Sequence, residues 1–346
     1  MTRWASTKIA LSVAGLSGVL GCSLTTSFDG FSSGPPHKVA PGGYYVEGAK
    51  IFAADGTQHV FHGLWAPVPG NLNDRDWGEQ FGMMKSWGAK AVRMTLSQDS
   101  WLKGAARYDS NYESIVDAQV QAIRSRGMDV ILCLSISDKG DLGNQNPGSV
   151  QMPDQNSITF WKQVAAKYKG DGGVIFQTYR IPYDVDWNVW RNGGQVTTAG
   201  FKAVGMQAIY DAIRGEGADN LIIANSRFWA FQVIGLSGNE ISGYNVAYGI
   251  EALSYDNYPP DKWQTSWGFA AKTYPLIVFT FTTSGCDANY AKQFLDYADP
   301  LQVSWIAATW DVYASCDDSH FPNLIKDWQG GPTALGQVVK DALQHY

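Results

Sequence analysis

Val174-Ile-Phe-Gln-Thr-Tyr-Arg-Ile-Pro-Tyr183 is an apolar run closed by a proline, and Pro275-Leu-Ile-Val-Phe-Thr-Phe-Thr-Thr-Ser-Gly285 is a second run of the same kind. Short stretches rich in β-branched and aromatic residues, bounded by turn formers and without strict polar alternation, read as strands buried on both faces. Such strands belong to parallel sheets covered by helices. Outward from these two, the runs recur along the chain and end near Trp65, Leu96, Ser135, Tyr179, Asn225, Glu251, Thr282 and Trp310. Amphipathic segments lie between them at 77–87, 114–126, 158–169, 199–214, 288–296 and 333–344.

Eight strands alternating with helices close most naturally into a (β/α)8 TIM barrel, whose functional residues sit on the loops leaving the strand C-termini. Ahead of the first barrel strand, Tyr44 to Phe52 returns through Asp55-Gly56 to His59-Val-Phe61. This stretch is expected to form an N-terminal β-hairpin that plugs one end.

The first residues have a different character. Arg3 and Lys8 precede an apolar run from Ile9 to Leu20 that is too short for a permanent membrane span, so residues 1–21 read as a signal peptide. The run closes on Val19-Leu-Gly-Cys22, the pattern of a bacterial lipoprotein signal, which implies lipidation at Cys22 and a membrane partner through that anchor. Residues 22–43, rich in Ser, Thr, Gly and Pro, read as a flexible tether, and residues 44–346 as one barrel domain. The expected location is therefore the cell surface or periplasm as a lipoprotein, or otherwise the medium.

The chain is 45% hydrophobic and 17% charged, with a net charge of −6. Loss of residues 1–21 removes Arg3 and Lys8 and moves that charge to −8. An acidic exported chain is a poor nucleic-acid binder, and a monomer is expected. Cys286 and Cys316 follow two late strands that neighbour each other in a barrel, and an oxidising compartment favours their disulfide. Cys133, inside Val130-Ile-Leu-Cys-Leu134, reads as a buried thiol. No Cys/His cluster has metal spacing, and neither a metal nor another cofactor is expected.

From Gly48 onward the chain resembles the glycoside hydrolase family 5 cellulase and mannanase barrels. Four pieces carry the resemblance. Lys50-Ile-Phe-Ala-Ala-Asp-Gly56 with Phe61-His-Gly63 is similar to the family's opening hairpin. Gly88-Ala-Lys-Ala-Val-Arg93, with Trp101 beyond, is similar to its second strand. Phe160-Trp161 through Val174-Ile-Phe176 to Pro182 is similar to the helix and strand before its acid/base glutamate. Cys286, Ser304-Trp305, Cys316, Phe321-Pro-Asn-Leu-Ile-Lys-Asp-Trp328 and Pro332-Thr333 to Gly336 are similar to the carboxy-terminal pattern of an exported bacterial branch.

The resemblance implies retaining hydrolysis of β-linked glycans by two glutamates at the ends of the fourth and seventh strands. One carboxyl protonates the leaving oxygen and the other, about 5 to 5.5 Å away, attacks the anomeric carbon. At the acid/base position, Asn-Glu-Pro is here Arg180-Ile181-Pro182. At the nucleophile position, Gly-Glu-Phe is Phe279-Thr280-Phe281. Isoleucine cannot transfer a proton, and a threonine hydroxyl needs an adjacent base. The third-strand His stands as Ser135, the sixth-strand His-Pro-Tyr as Glu251-Ala252-Leu253, and one of the eighth-strand Trp pair as Ala308, while Arg93 is kept. A shifted alignment supplies no substitute, because no Glu occurs between Glu113 and Glu216 or after Glu251. The histidines, at 37, 59, 62, 320 and 345, all fall outside the expected site.

The chain is thus expected to be an inactive homologue that binds a polysaccharide or oligosaccharide. Trp65, Arg93, Trp101, Arg180, Trp187, Trp190, Trp229, Glu251 and Trp310 are its candidate binding residues. Arg93, Arg180 and Glu251 are also candidates for a polar network filling the old catalytic floor. Two alternatives stay open: a hydrolase whose acid and base have moved to Glu251 with Asp184, Asp186, Asp256 or Asp311, and a structural or assembly protein of the envelope.

Overall fold

The apolar runs recur as parallel strands in the computed structural model, which describes residues 37–67, 76–252, 259–281, 287–313 and 322–346. Signal peptide, Cys22, most of the tether, Asp256, Cys286 and Cys316 lie outside the described residues. In chain order the elements are β1 (Tyr44–Glu47), β2 (Lys50–Ala53), β3 (Gln58–His59), β4 (His62–Ala66), α1 (Trp77–Ser86), β5 (Ala91–Ser97), α2 (Gln98–Trp101), α3 (Tyr112–Arg124), β6 (Asp129–Ile136), α4 (Gln155–Tyr168) and β7 (Val174–Gln177). They continue as α5 (Trp187–Asn192), β8 (Gly193–Val196), β9 (Lys202–Val204), α6 (Met206–Gly215), β10 (Ile222–Asn225), β11 (Val246–Glu251), α7 (Trp263–Ser266), β12 (Leu276–Phe279), α8 (Ala288–Ala298), β13 (Ser304–Ala307) and α9 (Ala334–His345).

Strands β4, β5, β6, β7, β10, β11, β12 and β13 close the barrel in that order, all parallel. Side chains alternate across each strand. Val92, Met94 and Leu96 of β5, like Val130, Leu132 and Leu134 of β6, join the layer under the helices. Ala91, Ile131, Ile175, Ile223, Ala247, Ile277 and Ile306 point inward and pack together. Both faces are therefore apolar, which is why the runs show no alternation in sequence.

The opening segment forms β1, β2 and β3, an antiparallel sheet rather than one hairpin. The stretch read as a single arm folds back at Gly48, whose φ of +57° allows a tight turn between Glu47 and Lys50. Tyr44 and Ile51 from this sheet pack into the inward-facing cluster, and the Tyr44 hydroxyl donates to Asp129 Oδ2 at 2.6 Å where β6 begins. Part of the stretch read as tether is also packed. His37 stacks on Tyr45, Lys38 O accepts from Asn245 Nδ2 at 2.6 Å, and Gly172 N donates to Pro41 O at 2.9 Å.

The helix expected from residue 199 starts instead at Met206, because residues 202–204 pair antiparallel with β8. Gly205 permits this close return, since a Cβ there would lie 2.2 Å from Arg191 O. Helix α4 begins at Gln155 through a capping box between Asp154 and Ser157.

His62, buried at this lower end, and the half-buried His59 both lie near Lys90, and loss of hydration pushes each pKa down to about 4. A histidine held neutral in the fold loses ground as pH falls from 6.5 to about 4, because only the unfolded chain takes up the proton. The effect is at most about 3 kcal/mol per ring. Asp129, pushed up to about 6 by burial, works in the opposite direction over much of the same window. The comparison to make is therefore between variant and parent. His62→Phe, which keeps the contact with Trp305 and Tyr346, is expected to lose less unfolding free energy between pH 7 and pH 4.5. Parallel losses in the two proteins would remove His62 as a cause.

Candidate functional site

The alternation that buries isoleucines in the lower barrel places polar side chains inward near the strand C-termini. Arg93 on β5 is fully buried. Its Nε donates to Gln177 Oε1 on β7 at 2.8 Å, its Nη2 to Cys133 Sγ on β6 at 3.4 Å, and its Nη1 lies 3.5 Å from Glu251 Oε1 on β11. Gln177 Nε2 donates to Asn225 Oδ1 on β10 at 2.6 Å, and Asn225 Nδ2 donates to Arg180 O. Both guanidiniums also lie near one indole, with Arg93 at 4.9 Å and Arg180 at 4.7 Å from the Trp65 ring. Phe279 covers Arg93 at 4.3 Å.

This floor is closed and charged. The Glu251 side chain is 1% exposed, and burial raises its pKa against the opposing pull of Arg93, Arg180 and the Thr280 hydroxyl. Burial likewise lowers the pKa of Arg180, whose Nε is shut from solvent although the residue as a whole is half-buried. Gly249 lets the floor close, because a Cβ there would lie 1.8 Å from Asn225 Oδ1.

Thr280 is fully buried with φ +56°, its N–H donating to Ile306 O at 3.0 Å, and Ile181 is half-buried. Neither position offers a carboxyl group. Ser135 is buried, and its carbonyl accepts from Ser149 Oγ. Ala308 packs in the inward cluster.

The tryptophans divide. Trp65 lines the floor. Trp101 is 4% exposed on α2, its Nε1 donating to Gln163 Oε1 and its ring set against Phe160. Trp187 donates to Ile234 O, Trp190 to Asn225 O and Trp310 to Gln80 Oε1, each at 2.7 to 2.8 Å, and all three are buried. These four rings pack between barrel and helices instead of facing an open cleft. Trp229, in the loop after β10, is 40% exposed and stacks flat on Tyr183.

The other candidate acids among the described residues are engaged elsewhere or open to water. Asp184 is exposed, Asp186 caps α5 through Val189 N at 2.8 Å, and Asp311 accepts from the N–H groups of Val312 and Tyr313. Among the described residues no cluster of three or more His, Cys, Asp or Glu could hold a metal ion, and no helix is long and apolar enough to cross a membrane.

Sequence reasoning had passed over Gln177, Asn225 and Tyr183. The first two were detectable, being polar residues at inward positions of otherwise apolar runs. Tyr183 was not, since its partner comes from another loop.

Residues 54–314 match the model of the cellulase family, glycosyl hydrolase family 5. Endoglucanase Z of Dickeya dadantii (strain 3937) is 25% identical over 218 residues, covering 59% of this chain. Those residues are 43% of that relative, so the chain spans less than half of its length. Among solved structures, a β-glucanase from Saccharophagus degradans in complex with cellotetraose is 19% identical with a TM-score of 0.71, over 92% of this chain and 99% of that one. The catalytic domain of a Thermobifida fusca endoglucanase is 16% identical with a TM-score of 0.65, over 88% and 97%. At these identities the two structures share the fold.

Proposed function

This chain belongs to glycosyl hydrolase family 5, and we propose that within it the protein binds a β-linked glucan without cleaving it. The observation that carries the reading is the chemistry of two strand-end positions, Ile181 and Thr280. Double displacement at an acetal needs one group to give a proton and another to attack carbon, both of them carboxyls about 5 to 5.5 Å apart. A hydrocarbon does neither. The hydroxyl of Thr280 is buried, and the carboxylate it faces is that of Glu251. Glu251, the carboxylate of the floor, is bound to Arg93 and shut from water.

The ligand class rests on the family and on the cellotetraose held by the S. degradans neighbour. It also rests on the exposed Trp229 at the rim, since a flat aromatic face matches the apolar face of a pyranose. The same proposal includes export through residues 1–21, lipidation at Cys22, a Cys286–Cys316 disulfide and work as a monomer at the cell surface or in the periplasm.

The test is retention of the purified protein on β-glucan, mannan and xylan with reducing ends assayed in parallel. Retention on glucan without turnover is the expected result. Reducing ends that accumulate, and cease to do so in Glu251→Gln, would establish a hydrolase with a displaced acid and base. Neither retention nor turnover would leave the envelope-assembly role.

A further inference from the structure

Two features of the rim remain unused by the floor. Tyr183, in the loop after β7, and Trp229, in the loop after the neighbouring β10, lie ring on ring with centroids 4.0 Å apart and planes 8° apart. Phe228, Trp229 and Ala230 have φ values of 60°, 57° and 61°, a left-handed turn built without glycine. L side chains resist this conformation, and it persists only where the surroundings fix it. Here Trp229 N donates to Pro182 O at 2.8 Å, and Ala230 O accepts from Glu251 N at 2.8 Å. The backbone thus presents Trp229 rigidly, tied on one side to the residue after Ile181 and on the other to the floor.

Tyr183 is held less firmly. Its N–H donates to Gln151 O at 3.1 Å, but the ring is half-buried, and among the described residues its hydroxyl has no hydrogen bond.

We infer that Tyr183 is a built-in occupant of the Trp229 face, lying where a pyranose ring would stack, so that a glucan must displace it to bind. The inference rests on the glycan-binding reading and adds regulation to that site. A parallel ring at this distance covers much of one indole face. A sugar stacking on that face needs the same flat contact, so the two compete for it. Side-chain rotation about Cα–Cβ clears the face without moving the strained turn, and the energy given up is that of one aromatic pair. On the usual worth of such a pair, displacement weakens glucan binding roughly two- to tenfold.

The experiment is calorimetric titration of the full chain with cellotetraose, using the parent, Tyr183→Ala, Trp229→Ala and the double variant. Tyr183→Ala is expected to bind two- to tenfold more tightly, and Trp229→Ala to lose binding in both backgrounds. Equal or weaker binding by Tyr183→Ala, with the parent still binding, overturns the self-occupancy while leaving glycan recognition intact. If neither parent nor Tyr183→Ala binds cellotetraose or is retained on any β-glucan, both readings fall together.

Discussion

Glu251→Ala is expected to lose about 3 to 5 kcal/mol of unfolding free energy, read as a lower denaturation midpoint in urea. The size follows from what the substitution leaves behind. Arg93 is fully buried and keeps Gln177 and Cys133 as partners, neither of which carries a negative charge at neutral pH. A guanidinium in that setting without its counter-ion carries most of its desolvation cost.

The direction of the Glu251 pKa refines the expectation. It is raised, so burial outweighs the pull of both arginines, and buried ion pairs in general are not large net stabilisers compared with an apolar filling. Removing one partner is therefore costly, whereas Arg93→Met together with Glu251→Leu should lose less than the two single substitutions added, by at least about 1 kcal/mol. A Glu251→Ala midpoint equal to that of the parent would show that the floor does not depend on this pair.

The second large effect is expected at Gly249. Alanine there would set a methyl group 1.8 Å from Asn225 Oδ1, and Asn225 must move or the strand must bend. Movement of Asn225 gives up its bonds to Gln177 and to the Arg180 carbonyl, and shifts the acceptor that orients Arg93. Overpacking and lost buried hydrogen bonds together place the cost at about 2 to 4 kcal/mol. Gly249→Ala in an Asn225→Ala background should recover part of this loss, because the clash disappears with the amide. No recovery would locate the strain elsewhere in β11. Gly249 has an ordinary backbone conformation and lies within an apolar strand, so its importance is visible only in space.

The two predictions mark how far the sequence could be read. The barrel was legible because inward and outward faces of its strands are both apolar, and runs such as Val130 to Leu134 admit little else. The pairing of Arg93 with Glu251 was legible too, since a charge at an inward barrel position needs a counter-charge at the same height. The tryptophans after the strands were not. Position along the chain placed Trp101, Trp187, Trp190 and Trp310 at the upper end of the barrel. It could not say whether each ring turned toward the axis or toward the helices. Their indole N–H groups find Gln163, Ile234 O, Asn225 O and Gln80, partners 35 to 230 residues away, and those bonds fix the rings outward. The doubled opening turn and the β8–β9 hairpin escaped for a local reason: each hinges on glycines, Gly48 in the first and Gly193 and Gly205 in the second, whose role depends on φ or on a close backbone approach.

Both ends of the described barrel domain are fastened to the same side. Residues 37–41 bond to Asn245 and Gly172, which precede β11 and β7, and Tyr346 stacks on His62 at the start of β4. A bead, dye or fusion partner joined at Tyr346 is therefore carried behind the strands' starting points, leaving the Trp229 rim unobstructed for immobilised binding measurements.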